Sequence, residues 1–210
     1  MSAGAVAVYD LSGTSGWAVY SPDDDEPISG TLRLPPTRTD GSMGPTFQLL
    51  FNHIAWINRR WPLMALGYEA YLAPTGGHRD KGKGGDEEQK SFVTSQATLK
   101  KLIGTIAILE MCAEMLDIPA YSINNASWRR FWIGKMPRGT KREEWKRRSV
   151  LKARVLGIDV KGDDEADALG QLHHLLRELE IRSDWARAKM AHPTQDMIML
   201  NYREGIALDV

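Results

Sequence analysis

Asp164-Glu165-Ala166-Asp167 opens the last apolar run of this 210-residue chain, and it limits the possible folds more sharply than any other stretch. Ala166, Leu169, Leu172, Leu176 and Leu179 recur at helical spacing, which predicts a helix over 164–180 with that stripe against a core. In such a helix Asp164 and Asp167 lie one turn apart on the same face. Two like charges at that spacing repel, so a fold that accepts them beside a buried stripe must bring positive charge to them. A hard divalent cation is one source, because it takes carboxylate oxygens as ligands. The other reading, that the macrodipole favours acidic residues at a helix start, stays open for this motif alone. Asp163 fits an N-cap, and Glu165 falls off the acidic face.

Two further acids stand at the ends of apolar strands. Ala5 to Tyr9 is a β-rich run ending at Asp10; Gly13 and Gly16 punctuate a turn, and Trp17 to Tyr20 resumes the strand. Thr31 to Leu34 alternates and stops at Pro35-Pro36, which completes an antiparallel meander. Phe47, Leu50, Phe51, Ile54 and Ile57 predict a helix between Thr46 and Trp61. The strand after it, Leu63 to Leu72, carries one acid, Glu69. Residues Thr75 to Lys90 form a loop rich in Gly, Lys and Asp, long enough to be functional. The helix predicted from Ser91 to Leu116 is apolar on most sides of its middle, Leu102 to Leu109. It must be covered on two faces, by the domain's own core and by a second subunit. A short strand over 119–123 and helices over 127–133 and 141–155 lead into the acidic helix. The pattern predicts an α/β fold, a mixed sheet with helices on both faces. Residues 1–181 form one domain, and 182–210 are an extension whose role the sequence does not show.

If the strands ending in Asp10 and Glu69 are neighbours, their carboxylates meet at one edge, and the last helix adds Asp164 and Asp167. Four half-buried negative charges require cations. Two divalent metals roughly 3.5–4 Å apart answer that need and suit in-line displacement at phosphorus, with water as nucleophile and the 3′ oxygen leaving. The zero net charge, 27 basic against 27 acidic residues, hides an asymmetry. Asp23 to Glu26 is a solvated acidic turn, whereas the segment Arg129 to Arg154 holds Arg129, Arg130, Lys135, Arg138, Lys141, Arg142, Lys146, Arg147, Arg148, Lys152 and Arg154 against only Glu143 and Glu144. Such a patch attracts polyanions. Cys112 is the only cysteine, which excludes an intrachain disulfide and a thiolate zinc cluster and leaves a buried, inert thiol. No apolar stretch is long enough to span a bilayer and no basic leader precedes the first strand, so a cytoplasmic protein is expected.

The segment Asp10-Leu-Ser-Gly-Thr-Ser-Gly-Trp-Ala-Val resembles the first strand-turn-strand of RuvC-type Holliday-junction resolvases, in the RNase H-like superfamily. Gly67-Tyr-Glu69 resembles their second acidic strand, and Asp164-Glu-Ala-Asp167-Ala-Leu their last helix. The stretch Trp128-Arg-Arg-Phe-Trp132 is similar to phage-encoded members, which would work in a bacterial host's cytoplasm. The resemblance spans about Ala5 to Leu179. It implies an RNase H-like mixed five-stranded sheet and a homodimer joined through helix 91–116. It also implies paired cutting of four-way DNA junctions with Mg²⁺ or Mn²⁺, two ions per site, leaving 5′-phosphate and 3′-hydroxyl ends. Asp10, Glu69, Asp164 and Asp167 would be the catalytic metal ligands. Lys146 fits the family's basic residue ahead of the last helix, with Lys141 second. Further DNA contacts fall on Arg142, Arg147, Arg129 and Arg130, and on Phe92, which either stacks on an unpaired base near the crossover or is a plain core residue.

Other readings share these residues. A relaxed-specificity branched-DNA or flap nuclease and an RNase H-like nuclease use the same acidic chemistry. A non-catalytic junction binder would face phosphate repulsion from an unmetallated acidic cleft. An actin-like sugar kinase or ATPase also has Asp-x-Ser/Gly-x-Thr after a strand, but 210 residues leave no room for its two domains. His173 and His174 are read as non-ligands, His78 and His192 as loop residues, and the Trp residues at 128, 132 and 145 as packing elements first, with stacking on DNA the alternative.

Overall fold

Every side chain of β1 (Ala5–Asp10) is buried, and strand alternation sends successive ones to opposite sides. Ala5, Ala7 and Tyr9 enter one core, Val6 and Val8 the other. A strand apolar on both faces belongs in the middle of a covered sheet, and the observed order is β3-β2-β1-β4-β5. The structure is a computed structural model that describes residues 4–70 and 96–181. β2 (Thr14–Tyr20) pairs antiparallel with β1 and with β3 (Ile28–Arg33), forming the expected meander. β4 (Leu63–Glu69) pairs parallel with β1, and β5 (Ala120–Ile123) parallel with β4.

Helices cover both faces. α1 (Gly44–Arg60) and α2 (Gln96–Met115) pack on the Ala7 and Tyr9 side. α3 (Asn125–Ile133), α4 (Arg142–Val155) and α5 (Asp163–Glu178) pack on the Val6 and Val8 side. α5 lies directly on β1 and β2 and under α3 and α4, so nearly all of Glu165 to Leu176 is buried. Its closeness to α3 depends on Gly170, where a Cβ would fall 2.7 Å from the Trp132 ring. Trp128 and Trp132 are therefore packing elements, both almost fully buried. Cys112 is buried too, and burial pushes its thiol up to about 11.

Two local readings change. Gly16 lies inside β2 rather than in a turn. Gly162 occupies the N-cap of α5, which makes Asp163 the first helical residue, and its carboxylate goes to Lys146. α2 buries one face, with Thr105, Leu109, Cys112 and Ala113, while Ile103, Met111 and Met115 stand exposed on the rest. Among the described residues, no helix is long and apolar enough to cross a membrane. The loop 75–90, Phe92, the helix start at 91–95, His78, His192 and the extension 182–210 lie outside the described residues.

Candidate active site

β1 and β4 run parallel with Val8 opposite Gly67 and Tyr9 opposite Tyr68, so the next pair in register is Asp10 and Glu69. In-register neighbours project to the same side, and that side faces α5, because a Cβ on Gly67 would meet Leu175. Both acids end their strands, and the carboxyl ends of parallel strands are where α/β sheets open a crevice. The first turn of α5 closes over this end at Gly16, whose missing side chain lets the Asp164 carbonyl approach the sheet. Asp10, Glu69, Asp164 and Asp167 thus line one cleft of ≈ 380 Å³, together with Arg129, Arg142, Trp145 and Lys146.

The cleft is crowded with negative charge. Burial holds the Asp10 carboxyl well above the ordinary range; the charges of Glu69 and Asp167, a shared hydrogen bond with Glu69 and the charge of Asp164 push the same way. Burial also raises Asp167 to about 6, with Glu69 adding to it and Ser149, Arg129 and Lys146 opposing. Arg129 stands 3.8 Å from Glu69, its guanidinium over the buried Trp128 ring at 5.2 Å. Lys146 pairs with Asp163 and reaches within 3.9 Å of Asp164. Glu69 Oε1 is nonetheless buried without a hydrogen-bond partner among the described residues. Among the described residues no group of three or more His, Cys, Asp or Glu side chains is already placed to hold a metal ion; two cationic side chains ion-pair with the acids. The donor set, carboxylate oxygens with one of them orphaned, fits hard divalent cations rather than a thiophilic metal.

α4 supplies a matching turn. Lys146 and Ser149 are three residues apart and face Asp163, Asp164 and Asp167 on α5. The Trp132 indole N–H donates to Ser149 Oγ at 3.1 Å. Indole nitrogen can only donate, so Ser149 Oγ accepts there and its own O–H is free to donate to Asp167. Trp132, Ser149 and Asp167 are all buried. Neither Ser149 nor the contact of Gly16 with α5 was readable from sequence, since nothing local marks a serine mid-helix or a glycine in a strand as a site residue.

The remaining candidates divide. Arg129, Arg142 and Lys146 line the cleft, whereas Arg130 lines an adjoining groove. Arg147 is held by Glu144 through two bonds of 2.9 Å on the exposed side of α4. With Arg148 it keeps the Glu144 carboxyl down at about 2. Lys141 is the exposed N-cap position of α4, off the cleft lining. Glu165 turns away from the acids, as expected, and is buried, accepting from Ser29 Oγ at 2.8 Å and the Lys161 amide at 2.9 Å. His173 packs against Phe131 and Trp132, and burial lowers it to about 4, leaving a neutral ring outside the cleft.

No family model matches the chain, and no curated protein matches its sequence. Solved structures do match. Thermus thermophilus RuvC in complex with a Holliday junction substrate aligns over 85% of this chain and 98% of its own, with TM-score 0.56 and 12% identity. A second Thermus thermophilus RuvC structure aligns over 84% and 97%, with TM-score 0.56 and 13% identity. The yeast mitochondrial Holliday junction resolvase aligns over 92% of this chain and 83% of its own, with TM-score 0.48 and 15% identity. The likeness to the two RuvC structures shows the fold they share with this chain, an α/β architecture with a mixed five-stranded sheet and helices on both faces.

Proposed function

We propose that this chain is a metal-dependent, structure-specific DNA endonuclease that resolves four-way junctions by paired phosphodiester hydrolysis. The observation that carries it is the single cleft in which two strand ends and one helix turn gather Asp10, Glu69, Asp164 and Asp167 beside Arg129, Arg142 and Lys146. Carboxylates alone would repel a phosphodiester; carboxylates that hold divalent cations, rimmed by guanidinium and ammonium groups, attract one. The likeness to a RuvC structure that contains a Holliday junction substrate supports the choice of DNA shape.

Asp10, Glu69, Asp164 and Asp167 would hold Mg²⁺ or Mn²⁺, two ions per site. Bound there, the ions supply Lewis acidity for water attack at phosphorus and for departure of the 3′ oxygen. The chain's own groups do the rest. Lys146 and Arg129 offer cationic contacts for the scissile phosphate at the edge of the acids. Ser149 fixes the Asp167 carboxylate by a hydrogen bond, and the Trp128 ring fixes Arg129. Residues 1–181 are the nuclease unit in this reading. It works as a homodimer joined through α2, whose Ile103, Met111 and Met115 are exposed in the single chain.

A panel of labelled four-way, three-way, flap and linear DNA with Mg²⁺ or Mn²⁺ tests this. Symmetric nicks in the four-way junction, with 5′-phosphate ends, are expected. Equal cutting of everything branched replaces the reading with a relaxed-specificity nuclease, and no cutting of any branch overturns both. Asp167→Asn is expected to lower cleavage by at least about 100-fold while junction binding holds; normal cutting by that variant removes Asp167 from the site.

A further inference from the structure

A second groove, of ≈ 540 Å³, opens beside the acidic cleft, and the two share Arg129 and Trp145. It lies where the chain turns out of α3, at Gly134 with φ 82°, on its way to α4. Its chemistry is the reverse of its neighbour's. Among the described residues, Arg129, Arg130 and Lys135 line it and no carboxylate does. Trp145 and Met136 contribute an apolar wall. Asn125 lines it too, with a buried side-chain oxygen that has no hydrogen-bond partner among the described residues.

Each part answers to one part of a nucleotide. Guanidinium and ammonium groups bind phosphate. An indole offers a stacking surface to any base, and an unpartnered amide oxygen gains from a base N–H. The volume falls in the range of small-ligand pockets, roughly 300–1,000 Å³. A groove that continues from the acids through a shared arginine and tryptophan is placed for the next unit of the same strand.

We propose that this groove is a nucleotide subsite. It holds one unpaired nucleotide of the strand flanking the phosphate presented to the acidic cleft, with the base against Trp145 and the phosphate between Arg130 and Lys135. The proposal rests on the nuclease reading above and deepens it: the enzyme grips single-stranded DNA next to the cut.

Anisotropy titrations of a labelled oligothymidylate strand and a labelled four-way junction, in EDTA across a NaCl series, test it. Arg130→Ala with Lys135→Ala is expected to weaken strand binding about tenfold or more and to reduce the salt slope by about 0.7 for each phosphate left without a cationic partner. Trp145→Ala is expected to weaken strand binding about tenfold with the slope unchanged, and Trp145→Phe to recover most of it. Arg130 and Lys135 are exposed, so the double variant should melt with the wild type and keep a loss of binding readable. Wild-type affinity and slope in that variant overturn the subsite. A Trp145→Phe variant as weak as Trp145→Ala overturns the stacking. Failure of the nuclease reading shows separately, as wild-type protein that cuts no branched DNA with Mg²⁺.

Discussion

Gly16→Ala is the sharpest test of how the site is assembled. A Cβ at residue 16 would lie 1.8 Å from the Asp164 carbonyl oxygen and 2.4 Å from its carbonyl carbon. Both are backbone atoms of the first turn of α5, so no side chain can rotate away. Restoring ordinary contact at 3.4 Å or more moves that turn off β2 by about 1.6 Å. Asp164 and Asp167 sit on the displaced turn, whereas Asp10 and Glu69 stay with the sheet. Misplacement of about 1 Å at a reacting centre costs on the order of 100-fold in rate. The overpacking itself costs about 1–3 kcal/mol, with the upper end expected because backbone must move, which corresponds to a melting temperature roughly 6–12 °C lower. Gly13→Ala is the matched control three residues away, since a Cβ there meets nothing within 4 Å. Single-turnover cleavage of a labelled four-way junction, read beside thermal unfolding, separates the two. If Gly16→Ala cuts and melts like Gly13→Ala, α5 does not approach β2 as described, and the reasoning about the cleft fails with it.

Stability should depend on pH in a definite direction. Asp167 is raised from 3.8 to about 6, so the folded protein binds its proton more tightly than the unfolded chain. Stability in EDTA therefore falls as pH rises from about 4 to about 6, by ~3 kcal/mol for this group, and Asp10 shifts the same way. Mg²⁺ should raise the melting temperature at pH 7.5 and not at pH 4.5, where protons hold the carboxylates; a flat profile without metal refutes the crowding. Ser149→Ala leaves the buried Trp132 N–H unpaired and removes the bond to Asp167. It should cost about 1–3 kcal/mol and weaken Mn²⁺ binding about tenfold by calorimetry, with Ser149→Thr retaining most of both. Light scattering should give a particle near twice 23.5 kDa, and Ile103→Glu with Met111→Glu should give a single chain; a wild-type monomer removes the paired-incision model.

Periodicity made the elements legible. The apolar, β-rich run over Ala5 to Tyr9 and the helical stripe from Ala166 to Leu179 are local, physical signals, and the structure has a strand and a helix there within one or two residues. The same local rules set the phase of each acid: Asp10 on the side of Val6 and Val8, and Asp164 one turn from Asp167. Errors came where the deciding neighbour is distant in sequence. Gly16 reads as a turn glycine because its true partner, the Asp164 backbone, lies well over a hundred residues on. Asp163 reads as a cap because Lys146 is not visible from its own helix.

By itself, the sequence determined which residues carry oxygen donors, which face of its own element each occupies, and where positive charge accumulates. These follow from side-chain chemistry and the repeats of strand and helix, which act over a few residues. Only the tertiary structure decided that β1 lies beside β4 in a register that pairs Tyr9 with Tyr68 and so sets Asp10 and Glu69 at adjacent strand ends. It also decided that α5 reaches the sheet through the gap at Gly16, and that Trp132 and Ser149 brace Asp167 while Arg129 turns to Glu69. Those are contacts between segments far apart in the chain, set by how two cores pack on opposite faces of one sheet, and no local pattern encodes them.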